Sequence, residues 1–281
     1  MKITIRFLAS LFVLTACGKD SLDKGPQNIL DKTSLSNGKT TWWQPATGIS
    51  FDWELNDINS GATFSGEVID VDAFTTTAET VAALHAKGEK VIAYMSAGTI
   101  ENDRPDISLL PLEVVGKVYP EWPNEKWLDI RQLEKMKPWL NARFNMILKK
   151  GFDGVEPDNM DSYSNETGFS IQIADTKKYA DYLIGLAHTN GLSIGQKNVP
   201  ELSEEYASKF DWALTEDAFK QGWQDSMAVY VKKNKPVFAV EYTDKTTQQD
   251  FQNLVCPKAK LLEFTAILKK RDLDKWVYKC K

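Results

Sequence analysis

What most constrains this chain is a rhythm of short apolar runs alternating with longer segments of helical spacing, repeated from residue 49 onward. "ISFDWEL" (49–55), "GEVIDVDAF" (66–74) and "KVIAYMSAG" (90–98) read as the first three strands, and "TTAETVAALHAKG" (76–88) as a helix stopped by glycine. A long helical region follows, from about 124 to 150. The strands "FDGVEP" (152–157), "LSIGQKN" (192–198), "FDWALTE" (210–216), "PVFAVEY" (236–242) and "KLLEFTA" (260–266) then alternate with helices around 172–190, 201–209, 219–234 and 246–253. Eight buried-looking strands with intervening helices predict a parallel sheet closed into a single-domain (β/α)8 TIM barrel over residues 41–281.

In such a barrel the site lies at the C-terminal ends of the strands. Nearly every predicted strand here ends in an acid, an amide or an aromatic: Trp53 and Glu54, Asp70 and Asp72, Tyr94 and Ser96, Glu156, Asp158 and Asn159, Lys197 and Asn198, Glu216 and Asp217, Glu241 and Tyr242, and Glu263. The densest cluster is "GFDGVEPDNMDSY" (151–163), with carboxylates at Asp153, Glu156, Asp158 and Asp161. Strand periodicity puts Glu156 and Asp158 on one face, and Pro157 suits a strand end. Asp161 and Tyr163 are expected on the loop beyond.

The N-terminus addresses the compartment. Lys2 and Arg6 precede a ten-residue apolar run, Phe7 to Ala16, too short to span a bilayer as a helix. "LTAC" ending at Cys17 resembles a bacterial lipobox, which implies a signal peptide over 1–16, cleavage, and a lipid anchor on Cys17. Residues 17–40 read as a flexible tether to the membrane. The expected product is an exported, membrane-anchored lipoprotein on the cell envelope. Two cysteines remain, Cys256 and Cys280, and in an oxidising compartment they are expected to pair, with free thiols as the alternative.

The net charge of −5 becomes −7 once Lys2 and Arg6 are removed, which argues against nucleic acid as a partner. His85 and His188 fall in helices before strands, away from the mouth. No metal is expected: histidine and cysteine show no zinc spacing, and an acid-only Mg²⁺ or Ca²⁺ site at Glu156, Asp158 and Asp161 is the lesser alternative. No cofactor is called for. Trp42, Trp43, Trp53, Trp122, Trp127 and Trp223 are candidates to stack on sugar faces, whereas Trp139, Trp212 and Trp276 read as packing residues.

"GFDGVEPDNMDSY" resembles the strand-four signature of glycoside hydrolase family 114, the endo-α-1,4-polygalactosaminidase family. "VIAYMSAGTIENDRPD" (91–106), "EWPNEKWLDIR" (121–131), "GLSIGQKN" (191–198), "DWALTEDAF" (211–219) and "PVFAVEY" (236–242) resemble further family segments in order. The resemblance implies a TIM barrel that cleaves galactosamine-containing polymer with carboxylates on strands four and six, which match Asp158 and Glu216. Asn159, Lys197, Asn198, Glu241 and Tyr242 match positions around the family's sugar cleft, beside the strand-end residues Trp53, Asp72, Tyr94 and Glu156. The chain departs from the family in "EDAFKQGWQD" after the sixth strand, where members often carry cysteines and another acid.

Glycoside hydrolysis needs one carboxylic acid and one carboxylate, and two strands of separation in a barrel permits the pair. Glu216 is expected to be the acid, raised by surrounding negative charge, and Asp158 the nucleophile or base. An acidic cleft suits a cationic, non-acetylated amino-sugar polymer as partner. The chain is expected to act as a monomer. Two alternatives stand beside this reading: a lipoprotein that binds polysaccharide without cleaving it, and a metal-dependent phosphodiesterase.

Overall fold

A computed structural model describes residues 42–281; the expected signal segment 1–16, the expected lipidation site Cys17 and the expected tether 17–40 lie outside the described residues. Eight parallel strands build the barrel wall in chain order. They are β1 (Phe51–Glu54), β2 (Val68–Asp72), β3 (Lys90–Ser96), β7 (Gly154–Asp158), β8 (Ser193–Lys197), β9 (Trp212–Glu216), β10 (Val237–Tyr242) and β11 (Thr265–Lys269). Between β3 and β7 the chain makes a separate antiparallel sheet of β4 (Thr99–Glu101), β5 (Val115–Tyr119) and β6 (Trp122–Leu128), ordered β4-β6-β5. A last strand, β12 (Val277–Lys279), runs antiparallel along β11. The fold is a (β/α)8 barrel.

Both faces of the wall are covered, which is why its strands read as apolar runs instead of alternating ones. Phe51, Trp53, Val68, Ile92, Trp212, Leu214, Phe238, Val240, Tyr242 and Ile267 pack inside the barrel. Their odd-even partners pack outward against the helices α1 (Ala78–His85), α2 (Leu133–Lys150) and α3 (Ile173–Thr189) and the short α4 (Ser203–Tyr206), α5 (Ala218–Gln221), α6 (Ala228–Val231), α7 (Gln248–Asp250) and α8 (Cys256–Leu262). Local signals set the ends of the long helices. Thr77 caps α1, Gln172 and Asp175 form a capping box on α3, and α2 stops at Gly151 in the left-handed conformation, φ 87°. Gly195 is required because a β-carbon there would collide with the Trp212 ring that fills the barrel floor.

Two expectations need correction. The helix read from 124 is strand β6 up to Leu128 and helix only from Leu133, because the charged, tryptophan-bearing stretch 121–128 pairs in a hairpin. The eighth strand is Thr265–Lys269, not 260–266: Cys256 and Pro257 open α8, which runs through Leu262, and Leu261 is left exposed on it. Glu263 is thereby a left-handed helix cap at the start of β11, at the end away from the mouth.

Among the described residues no hydrogen-bonded ladder joins β11 to β1. Thr265 donates its hydroxyl to the Ile49 carbonyl across the gap, and β12 lies along the free side of β11. Cys256 on α8 and Cys280 beside β12 are joined in a disulfide, with Cα atoms 5.5 Å apart.

Candidate active site

Strand parity decides which polar residues enter the barrel. From β7 come Glu156 and Asp158, from β8 Lys197, from β9 Glu216, from β10 Tyr242, from β3 Tyr94 and from β2 Asp70; they share the parity of the interior apolar residues on β2, β3, β9 and β10, and on β7 and β8 they are opposite in parity to Val155 and Ile194, which pack outward. Lys197 is the hub. Its ammonium, 1% exposed, lies 2.5 Å from Glu156, 3.5 Å from Asp158 and 3.3 Å from Glu216, and 4.3 Å over the Trp53 ring. Burial alone would strip its proton, but the charges of Asp158, Glu156 and Glu216 hold its pKa well above the ordinary value.

The four acids around this hub fall into two layers. Glu156 and Asp70 are sealed from water, whereas the side chains of Asp158 and Glu216 are 19% and 25% exposed and reach the mouth. Since both mouth carboxylates touch one nitrogen, the contacting oxygens lie at most about 7 Å apart, within the ~5–10 Å span of paired glycosidase carboxylates.

Each member of the mouth pair is oriented by neutral donors. The Tyr94 hydroxyl donates to Asp158 Oδ2 at 3.1 Å, and the Tyr242 hydroxyl donates to Glu216 Oε1 at 2.5 Å. Asn198 clasps Glu216 twice, its amide donating to Oε2 at 3.0 Å and its carbonyl oxygen accepting the Glu216 backbone N–H at 2.8 Å. Burial, followed by the adjacent carboxylate, raises both tyrosines well above their usual pKa, so they remain protonated donors.

Glu216 does not behave as expected. Burial pushes its pKa up, yet Lys197, Tyr242 and Asn198 outweigh burial and hold it below the usual carboxylate value. The negative surroundings invoked from sequence are real, but the Lys197 ammonium, 3.3 Å from Glu216 and between the two mouth carboxylates, outweighs them.

Three other expected site residues are spent elsewhere. Glu241 has outward parity, opposite to Tyr242; it accepts the backbone N–H groups of Phe219 and Lys220 at 2.9 and 3.1 Å and is buried under the loop that follows Glu216. Its placement among cleft residues is therefore corrected. Asp72 accepts from the Phe74 and Thr75 backbone and pairs with Arg104 at 2.6 Å. Asn159, left-handed at φ 61°, turns its amide to Ser96 and Thr99, beneath Gly98, where any β-carbon would strike the Asn159 backbone. Asp217 is also no loop-surface acid: it is 2% exposed and held by Arg271 and Lys245.

At the opposite end of the barrel Asp153 accepts from His85 and Lys90, so one of the four acids in the 151–163 cluster stands at the barrel's floor. Trp42 is there too, its indole stacked on His188 at 3.8 Å and bonded to Asp211. Trp42 is thus away from the mouth, Trp53 and Trp127 are buried, and Trp122 on the hairpin is exposed.

The β5–β6 hairpin contributes residues that sequence reading missed. Tyr119, at its tip and packed on Trp127, feels the charges of Asp161, Asp158 and Glu216 after the larger effect of burial. Glu125, opposite Glu101 in the ladder and accepting the Thr99 hydroxyl, is pushed up to about 7 by burial and then by Glu101 and Asp158. Asp161 is pushed up to about 6 by burial and by Asp158. Among the described residues no group of three or more His, Cys, Asp or Glu is arranged to hold a metal ion.

A barrel mouth built on two open carboxylates, one buried ammonium and aligned tyrosines is equipped for proton transfer and for stabilising charge on a sugar ring. The family model for glycoside-hydrolase family GH114 matches residues 32–281. The chain belongs to family GH114. This GH114 enzyme is a glycoside hydrolase, and its structure is similar to that of Ega3 from Aspergillus fumigatus, solved in complex with galactosamine, at a TM-score of 0.80 and 32% identity over 87% of this chain and 100% of that one. The glycoside hydrolase domain of PelA from Pseudomonas aeruginosa matches with a TM-score of 0.62 and 14% identity over 82% and 98% of the two chains, a likeness of fold. An α-galactosidase from Thermus thermophilus shares the fold more distantly, with a TM-score of 0.52 and 13% identity over 80% and 58%. No curated protein matches the chain.

Proposed function

We propose that this GH114 enzyme cleaves α-1,4-linked, galactosamine-containing polysaccharide within the chain, using Asp158 and Glu216 as its two catalytic carboxylates. The observation that carries the pair is Lys197: of the acids it contacts, only these two reach the mouth. One protonates the leaving oxygen and the other attacks the anomeric carbon or activates water. The charge held on Glu216 removes the physical ground for naming it the acid in advance.

The substrate class draws support from the Ega3 complex with galactosamine and from the mouth itself. Asp158, Glu216 and Asp161, the last mostly ionised above its pKa of about 6, put more negative charge at the mouth than Lys197 balances, which favours cationic amino sugars over neutral glucans. We further propose that the enzyme is exported and anchored through lipidated Cys17; Cys17→Ser should release it from the membrane fraction, and unchanged fractionation would reject the anchor.

Partly deacetylated polygalactosamine is the substrate to test. Asp158→Asn and Glu216→Gln should fold normally, bind the polymer, and lose turnover by roughly a thousandfold or more, the effect of about 4 kcal/mol of transition-state stabilisation. Azide should rescue the alanine variant of a nucleophile, and a substrate with a good leaving group should rescue that of the acid, so the two roles separate experimentally. Polymer binding without cleavage by the wild type would make the chain a binding protein.

A further inference from the structure

Below the mouth pair lies a group that the proposed chemistry does not touch. Asp70 is completely buried, and neither of its carboxyl oxygens finds a hydrogen-bond donor among the described residues. Glu156 Oε2 is orphaned in the same way, although Glu156 Oε1 meets Lys197 at 2.5 Å. The two carboxyl groups project inward from the strands on either side of β3, where Asp70 stands opposite Ile92 and Glu156 opposite Tyr94, and they are within hydrogen-bonding reach of each other.

Two touching carboxylates in a dry interior cannot both stay ionised, since each would keep a bare, unsolvated oxygen beside a like charge. One proton resolves every defect at once. A protonated Asp70 donates its O–H to Glu156 Oε2, which leaves Glu156 Oε1 free to accept from Lys197, as in carboxyl dyads that share a proton. Glu156 Oε1 is committed to the Lys197 ammonium at 2.5 Å, whereas Asp70 has no hydrogen-bonded cation among the described residues, so the proton belongs on Asp70, whose pKa burial and then the Glu156 charge raise.

We propose, on the reading of the site given above, that Asp70 is a positioning residue: it holds its proton throughout the working pH range and, through Glu156, keeps the Lys197 ammonium poised between Asp158 and Glu216. The groups that face this centre are Tyr94 from β3, Glu156 and Asp158 from β7, Lys197 from β8, Glu216 from β9 and Tyr242 from β10, with Trp53 from β1 beneath the ammonium. Lys197 is the one cation of this set. Were Asp70 ionised, two unscreened charges below would compete for that cation against two partly screened charges above.

The test has a spectroscopic arm and a kinetic arm. In wild-type enzyme carrying ¹³C-carboxyl aspartate, one aspartate carbon should stay at the protonated shift from about pH 5 to pH 8, where ordinary aspartates are ionised. Asp161 should titrate inside that window and so be told apart. If every aspartate carbon is at the ionised shift at about pH 8, the proposal is wrong. In kinetics, Asp70→Leu, which deletes the donor, should lower kcat at least about tenfold with little change in KM, and Asp70→Asn, whose amide N–H can donate to Glu156, should restore most of it. Equal losses in both variants would overturn the positioning role, and the spectrum decides the matter if the leucine variant does not fold. A wild type that cleaves no galactosamine polymer would defeat the proposed function while leaving the carboxyl spectrum to judge this inference by itself.

Discussion

Replacing Lys197 with methionine removes the ammonium on which the mouth is organised while keeping similar bulk. At an effective dielectric of about 20, a unit charge 3.3 Å away is worth about 5 kcal/mol. Even half of that moves a carboxyl by about two pK units. In the wild type Glu216 is held below its ordinary value, so its ionisation stabilises the fold above that value and the contribution fades as pH falls. In Lys197→Met the sign reverses: burial now dominates Glu216, its folded pKa rises above the unfolded one, and stability falls as pH rises. Leaving Glu156 buried without its partner adds a penalty of about 3–5 kcal/mol near pH 8, or roughly 10 °C in melting temperature. That loss should shrink towards pH 5 as the orphaned carboxylates take up protons. Urea denaturation at both pH values, together with the pH dependence of kcat/KM, measures it; the acid limb should move up by about two pH units. A stability loss that is the same at both pH values, with an unmoved acid limb, would show that Lys197 does not set the charge state of this site.

Glu241 is pushed up to about 7, first by burial and then by the Asp217 charge against the bonds from Phe219 and Lys220. A raised carboxyl stabilises most below its unfolded pKa, so this group costs up to about 3 kcal/mol as pH climbs from about 4.5 to 7; Glu241→Gln should flatten that part of the stability curve in urea melts, and an unchanged slope would count against it. Removing the disulfide with Cys256→Ser frees a segment of 24 residues and should cost about 3 kcal/mol of stability; an unshifted melting point in oxidised protein would contradict this. On the hairpin, Trp122→Ala should raise KM for polymer by a few fold and leave kcat in place, as expected for one lost stacking contact of about 1 kcal/mol.

Much of the site was legible because it follows from period two at strand ends. Glu156 and Asp158 share a face in any extended register, and the same parity carries Glu216 and Lys197 inward. Glu241 escaped for the complementary reason. "VFAVEY" ends one residue later than "WALTE" in its inward phase, so the acid that looks equivalent to Glu216 points at the helices and Tyr242 takes the cleft. The eighth strand was misplaced because "KLLEFTAILKK" is apolar across both the end of α8 and the start of β11, and composition does not mark the handover at Phe264. Tyr119 and Glu125 had no local signal at all. Their approach to Asp158 depends on a hairpin folding back over a strand some thirty residues further along the chain. The sign of the Glu216 shift was illegible for a related reason: counting acids along the sequence cannot weigh one well-placed lysine.

The gap between β11 and β1 has a kinetic meaning. A closed barrel protects its wall because every strand is hydrogen-bonded on both sides, whereas here one join rests on a side-chain bond from Thr265, a single backbone bond from Leu55 to Leu273, and a three-residue antiparallel strand fastened by the Cys256–Cys280 bridge. Local opening of the wall should therefore begin at this stave. Backbone amides of β1 and β12 will exchange with deuterium sooner than those of β7, β8 and β9, and reducing the bridge will speed the former while leaving the strands that carry Asp158, Lys197 and Glu216 protected.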